Sequence, residues 1–386
     1  MSKARLLFVI STFLLFTLFS WAVWRDAQRE WVTYQRQFAQ SLSKEERQLA
    51  PRGIQQIMVP ALHTIDRCTT CHVAMELPQL ALAEQPFTAH PGDYLTWHPL
   101  DKFACTTCHD GQGLATTMKA AHGEVPHWEE PLLRGPLVQA SCGRCHGNIR
   151  EIAAPLLVQA KTLIEQRGCY GCHTIQGFGG TISQDLTDVG AKPHLQIDFT
   201  FVEGEHTRAN WLFQKFKDPQ RIEPGHPEET PPIPPSAMPH VGLSDEEAQA
   251  LTAYMLSLTG EDLPASYMVP APPEPVPLYA STVDRGRAVF QQYGCVGCHG
   301  IEGRGGRRNW NAITSEEIPP LTYVREGYTK EQLIAFIQRG SQPIPKLDPH
   351  GPTPPLYMPS WRERISDDEL DAVADYLLNL APPPAE

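Results

Sequence analysis

Residues 156–173 read LLVQAKTLIEQRGCYGCH, and residues 284–299 read DRGRAVFQQYGCVGCH. In both, a helical pattern ends in glycine directly before a C-x-x-C-H. Each is followed at a similar distance by Met-Pro: Met238 lies 65 residues after His173, and Met358 lies 59 after His299. Each region then ends in a second amphipathic helix, LSDEEAQALTAYMLSL from 243 and ISDDELDAVADYLLNL from 365. Ser244 with Glu247, and Ser366 with Glu369, form the capping boxes that start those helices. Tyr254 and Tyr376 occupy the same place in both. Residues 155–259 and 282–380 are therefore an internal repeat.

The same pentapeptide occurs three more times upstream. All ten cysteines fall into five C-x-x-C pairs, each followed at once by His. The pairs are Cys68 and Cys71, Cys105 and Cys108, Cys142 and Cys145, Cys169 and Cys172, and Cys295 and Cys298. None remains for a disulfide. C-x-x-C-H is the attachment pattern of c-type haem. The two thiols become thioethers, and the adjacent imidazole is held under the ring as an iron ligand. Zinc ribbons also use C-x-x-C pairs, but two pairs close one site and no His need follow each. Thioredoxin-like redox pairs give no reason for five copies. The expectation is five covalently bound haem c, with His72, His109, His146, His173 and His299 as proximal ligands.

The repeat resembles class I cytochrome c domains: N-terminal helix, C-x-x-C-H, Met-Pro and C-terminal helix stand in that family's order. The resemblance implies that the two terminal helices cross near the haem edge. It also implies that Met238 and Met358 supply the sixth iron ligands. NWLFQKFKDP, within an insertion in the first repeat, looks like the helix such domains place before the methionine loop. His194, His206, His226, His240 and His350 are read as surface or loop residues, because each domain already has its ligand pair. LPASYMVPAPPEPVPLYAS, between the repeats, is a Pro-rich semi-rigid spacer, and Met268 within it is not expected to be a ligand.

Residues 60–150 carry three motifs with little periodicity, a segment whose core would be built on the macrocycles themselves. It offers His63, His90, His98, His122 and His127 outside the motifs, together with Met58, Met75 and Met118, none of them followed by Pro. Bis-histidine ligation is expected for most of it, with His90, His98 and His122 first, then His127, and His63 last. Met118 is read as packing. Any one of these histidines could instead face solvent or a haem propionate.

Lys3 and Arg5 precede an uncharged, mostly apolar run from Leu6 to Trp24. Its 19 residues would span about 28 Å as a helix, close to a bilayer core. Trp21 and Trp24 suit an interface. A cleaved signal peptide is the competing reading, with Ser20-Trp21-Ala22 as the cleavage site. The apolar run continues past that site, which favours an uncleaved anchor. Covalent haem attachment implies the export side, so the body is expected on the periplasmic or extracytoplasmic face of the cell membrane. The next stretch, with Trp31, Tyr34 and Phe38 at helical spacing, reads as a stalk whose aromatic stripe packs on the first haem module or on a partner's helix.

The 386 residues carry a formal net charge of −12, 37 prolines and 41% hydrophobic residues. No basic run exists, so nucleic acid is not an expected partner. The expected fold class is mostly α: one N-terminal transmembrane helix, an irregular tri-haem module and two all-α class I domains. The expected boundaries are 1–24 anchor, 25–59 stalk, 60–150 tri-haem module, 151–262 class I domain, 263–281 linker and 282–386 class I domain.

The order REWVTYQRQF, DRCTTCH, HPGDYLTWHP, CTTCHDGQGLATTMKAAHG, CGRCH resembles the N-terminal part of anchored multihaem cytochromes that serve bc-type or alternative quinol-oxidising respiratory complexes. This chain departs from alternative-complex pentahaem subunits in appending two class I domains. The resemblance implies integral membrane subunits as partners and a soluble cytochrome or oxidase as acceptor. The expected role is an electron-transfer subunit rather than an enzyme, since no Ser/His/Asp set, phosphate loop or flavin fingerprint is present. The alternatives are a haem enzyme, reductase or peroxidase, with one open site, or a cytochrome subunit of a dehydrogenase or oxidase.

Overall fold

A computed structural model describes residues 2–44, 46–48, 50–226, 228–230, 233–272 and 277–380. Part of the expected linker and the end of the last expected domain, 381–386, lie outside the described residues. The chain divides into two compact units, residues 1–134 and 135–386. Helices of seven or more residues are labelled α1–α9 in chain order.

The first unit opens with α1 (Lys3–Asp26), none of whose residues is buried. It is long and apolar enough to cross a membrane, compatible with a single-pass anchor or a signal sequence. Next comes α2 (Glu30–Ser41), which buries Phe38 and Gln35. Phe38 meets the Phe87 ring at 5.6 Å and joins Ala50 and Ala74 in a small apolar cluster. Gln35 accepts from the Gly53 amide at 3.0 Å and donates to the Thr70 carbonyl at 3.0 Å. One face of the stalk helix is thus fastened to the first C-x-x-C-H. Beyond it, regular structure among the described residues of this unit is confined to short helical turns and one hairpin, β1 (Ile57–Val59) and β2 (Thr64–Asp66), in which Ile57 faces Asp66.

The second unit holds both repeats. Its first helix, α3 (Gln139–Cys145), carries the third motif. Then follow α4 (Pro155–Arg167), α5 (Arg208–Lys217), α6 (Asp245–Ser257), α7 (Thr282–Gln292), α8 (Lys330–Arg339) and α9 (Asp367–Leu378). In each repeat the first and last helices cross: α4 on α6, and α7 on α9. A Cβ on Gly286 of α7 would strike the Ala372 carbonyl and come within 2.7 Å of the Tyr376 Cβ, so the two backbones meet directly there. Ala160, at the same offset from its motif, is wholly buried on α4. Both expected capping boxes are formed, and the helix expected within NWLFQKFKDP is α5.

The boundary between units falls at 134/135, not at the expected 150/151. The third motif is held by the repeats: a Cβ on Gly143 would lie 2.8 Å from that of Ser257 on α6. The start of the Pro-rich spacer is docked as well, since the Val269 amide donates to the Cys145 carbonyl at 2.9 Å.

Candidate haem-attachment sites

All five motifs fold into the same turn. The amide of each motif histidine donates to the carbonyl of the first cysteine four residues back: His72 to Cys68, His109 to Cys105, His146 to Cys142, His173 to Cys169 and His299 to Cys295, all at 2.9–3.0 Å. One helical turn therefore holds two sulfurs and an imidazole together. Burial pushes the Cys71 and Cys169 thiols up to about 11 and Cys295 up to about 12. For these three thiols this is the reverse of the depressed values that redox-active C-x-x-C pairs require, whereas contact with the Cys172 thiol lowers Cys298.

Burial biases four of the motif imidazoles, His72, His109, His173 and His299, toward the neutral form that a metal ligand must have. Burial lowers His173, opposed in part by its Nδ1 bond to the Gln184 carbonyl at 2.7 Å. A ligating histidine commonly donates its second ring N–H to a carbonyl in this way. Burial pushes His299 down to about 4, opposed by the Pro319 carbonyl. Its Nδ1 is buried without an acceptor in full hydrogen-bond geometry among the described residues. These turns fit a thioether-bound haem.

The methionine loops are tied down by backbone contacts. The Gln220 side-chain amide donates to the carbonyls of Ser236 at 3.0 Å and Met238 at 2.6 Å. The Met358 amide donates to the Ser341 hydroxyl at 3.0 Å, and its carbonyl accepts from the Ser341 amide at 2.9 Å. Met358 packs against the core of the second repeat. Met238 is half-buried.

In the first unit the structure brings two of the candidate histidines to motif histidines. The His72 and His122 ring centres lie 6.4 Å apart, and those of His90 and His109 lie 6.1 Å apart. Two imidazoles on opposite sides of one metal, each bonded at about 2 Å, place their ring centres about 6 Å apart. Burial lowers His72, with His122 and then His109 adding to it; burial likewise lowers His109, with His90 adding. The His90 Nδ1 lies 3.0 Å from the Pro91 carbonyl, which leaves Nε2 as the ring nitrogen for a metal. His98 is half-buried, its ring edge-on to Phe103 at 5.0 Å and its Nδ1 3.2 Å from the Tyr94 carbonyl. His127 and His63 are exposed, both with left-handed φ. The Met118 sulfur lies 3.9 Å from the Tyr34 hydroxyl, on the stalk helix.

Sequence reasoning passed over Asp66. It is fully buried and accepts from the Cys105 amide at 2.5 Å, the Thr106 amide at 2.7 Å and the Thr106 hydroxyl at 2.8 Å. It thereby locks the second motif to the strand that leads into the first. The Cys68 and Cys105 sulfurs and an Asp66 oxygen all lie within 4.8 Å of one another. The available signal was its place two residues ahead of Cys68, in a segment otherwise poor in acids.

The family model for cytochrome c matches residues 157–259 and again 283–381, together just over half of the chain. Searches of curated proteins and of solved structures returned no significant match. The matched segments each run from the helix before the attachment turn to the end of the capped helix after the Met-Pro. With that turn and those crossing helices in place, the chain belongs to the cytochrome c family, whose domains imply covalently bound haem and haem-based electron transfer.

Proposed function

We propose that this chain is a membrane-anchored pentahaem cytochrome. It receives electrons in its N-terminal unit from a quinol-oxidising membrane complex and delivers them from the C-terminal repeats to a periplasmic carrier or terminal oxidase. Each of the five turns takes one haem, with its two sulfurs as thioethers and its histidine on the iron. His122 serves as the other ligand of the iron held by His72, and His90 of the iron held by His109. Met238 and Met358 serve the irons of the repeats.

One observation carries the reading: the donor types are segregated along the chain. Histidine pairs spaced for one metal stand in the first unit, and Met-Pro loops stand in the repeats. Methionine as the partner of histidine raises a haem potential, whereas a second histidine leaves it lower. Low potential close to the anchor and high potential at the far end of the chain make a directional carrier. Four of the five irons thereby gain a sixth ligand from this chain, and at those irons the chain carries electrons without making bonds.

A redox titration with carbon monoxide tests this. The expected result is five haems per chain, the two of Met/His spectrum reduced first, and no carbon monoxide bound. Carbon monoxide on one haem of the native chain would identify a haem enzyme instead. Met/His haems titrating below the others would reverse the direction.

A further inference from the structure

The two repeats meet through their attachment turns. The Cys172 sulfur lies 3.8 Å from the Cys298 sulfur. Around that contact the backbones touch with nothing between them. A Cβ on Gly168 would come within 2.5 Å of the Gly297 Cα, and one on Gly297 within 3.0 Å of the Gly168 carbonyl carbon. A Cβ on Gly294 would come within 2.7 Å of the Tyr170 carbonyl carbon and would strike the Gly171 amide; one on Gly171 would come within 3.1 Å of the Gly294 carbonyl carbon. The glycine before the first cysteine of each motif therefore faces the glycine before the second cysteine of the other, a reciprocal arrangement like an isologous interface.

The other three motifs show that haem attachment does not need these glycines. Arg67, Ala104 and Ser141 precede their first cysteines, and Thr70, Thr107 and Arg144 precede their second. Glycine stands at both places only in the motifs of the two repeats; Cys68 and Cys105 also lie within 4.8 Å of one another, but there Asp66 rather than glycine holds the two turns together. Other contacts fix the same face. Phe178 of the first repeat packs on Tyr293 at 4.9 Å and joins the core of the second. Arg364 of the second repeat donates to the Gly179 carbonyl. Within the second repeat, the Arg307 Nε donates to the Gly297 carbonyl at 3.1 Å and holds that turn in place.

We propose that the Cys172–Cys298 contact is the electron bridge between the two Met/His haems, and that the four glycines exist to bring it about. This rests on the repeats carrying haem as described above. With thioethers at both cysteines, the two conjugated systems are joined through bonded carbon and sulfur on each side and a single van der Waals step in the middle. One electron crosses per event: the iron on one side is oxidised, the iron on the other is reduced, and no proton or bond changes hands.

The test uses the full chain carrying Gly171→Thr and Gly297→Thr, with Gly327→Ala as control because nothing lies within 4 Å of that position. Threonine at this position is already carried by two motifs of this chain, so attachment should survive. The turns, however, must part by roughly 1 Å to restore ordinary carbon contact. The readouts are haem stoichiometry, the Met-ligation absorbance band, and the rate at which an electron injected by a light pulse equilibrates between the two Met/His haems. The bridge predicts intact haem content and Met ligation in the variant, with equilibration slowed by an order of magnitude or more. Intact haem with an unchanged rate overturns it. Should the double variant fail to take up haem, Gly297→Ala alone decides by the same two outcomes. Native chain lacking two Met-ligated haems would overturn the functional reading, and the bridge with it; an unchanged rate overturns the bridge alone.

Discussion

At the scale of the residue, the candidate distal ligands separate by what lies opposite them. His122 and Met118 sit one helical turn apart, yet His122 faces His72 at 6.4 Å while the Met118 sulfur faces Tyr34. His122→Ala is therefore expected to leave one haem five-coordinate, with a high-spin spectrum, a raised potential and newly acquired carbon monoxide binding. Met118→Leu conserves volume and should cost less than about 1.5 kcal/mol, with all haem spectra unchanged. Absorbance and electron paramagnetic resonance of the two variants compare them directly, and a spectral change in Met118→Leu alone would reverse the assignment. His90→Ala should repeat the His122→Ala result at the second motif. Asp66 makes a different prediction. Removing a buried carboxylate that accepts three hydrogen bonds leaves two buried amides unpaired, at about 1–3 kcal/mol each. Asp66→Ala should lower the denaturation midpoint of the chain and reduce haem incorporation at the second motif, while Asp66→Asn recovers part of both.

At the scale of the element, the repeats were legible because helices announce their ends. Gly168 and Gly294 before the motifs, and serine with glutamate three residues on, mark where α4, α6, α7 and α9 stop or start, and each is built that way. The crossing of α7 on α9 gives a test with a magnitude. Gly286→Val places atoms where the Ala372 carbonyl and Tyr376 stand, and overpacking of this kind costs about 1–3 kcal/mol. Ser366→Ala removes a capping box and costs about 1 kcal/mol. Denaturant unfolding of the full chain, followed by the Met-ligation band, should rank Gly286→Val at or above Ser366→Ala. A smaller effect of Gly286→Val than of Ser366→Ala would mean that the helices part at little loss. The first unit was legible only as an inventory of donors. Its chain has no period from which to place one residue against another, so the pairing of His122 with His72 and of His90 with His109 depends on turns such as the His90 amide bonded to the Met75 carbonyl. The glycine contact between repeats was hidden for another reason: each glycine is ordinary within its own motif, and its meaning lies in a motif more than a hundred residues away.

At the scale of the whole molecule, the proposed ligation makes the order of donors along the chain set which way electrons run downhill. On that proposal the potential rises at the step from bis-histidine to Met/His ligation, and the last methionine, Met358, serves the haem farthest along the chain. Met358→His is expected to lower that haem's potential to the range of the N-terminal haems, because a second imidazole takes the place of the thioether. Ser341 keeps its bonds to the backbone of residue 358 in this variant, so the loop retains its anchor. The iron held by His173 then becomes the highest of the five, and an electron injected by a light pulse should rest there instead of passing on. Reduction of an added basic acceptor would slow while the haem content stays at five. The acidic balance of −12 favours such an acceptor electrostatically, and the native rate should fall as salt rises. A Met358→His chain that reduces the acceptor at the native rate would show that electrons leave before the last haem, from the first repeat.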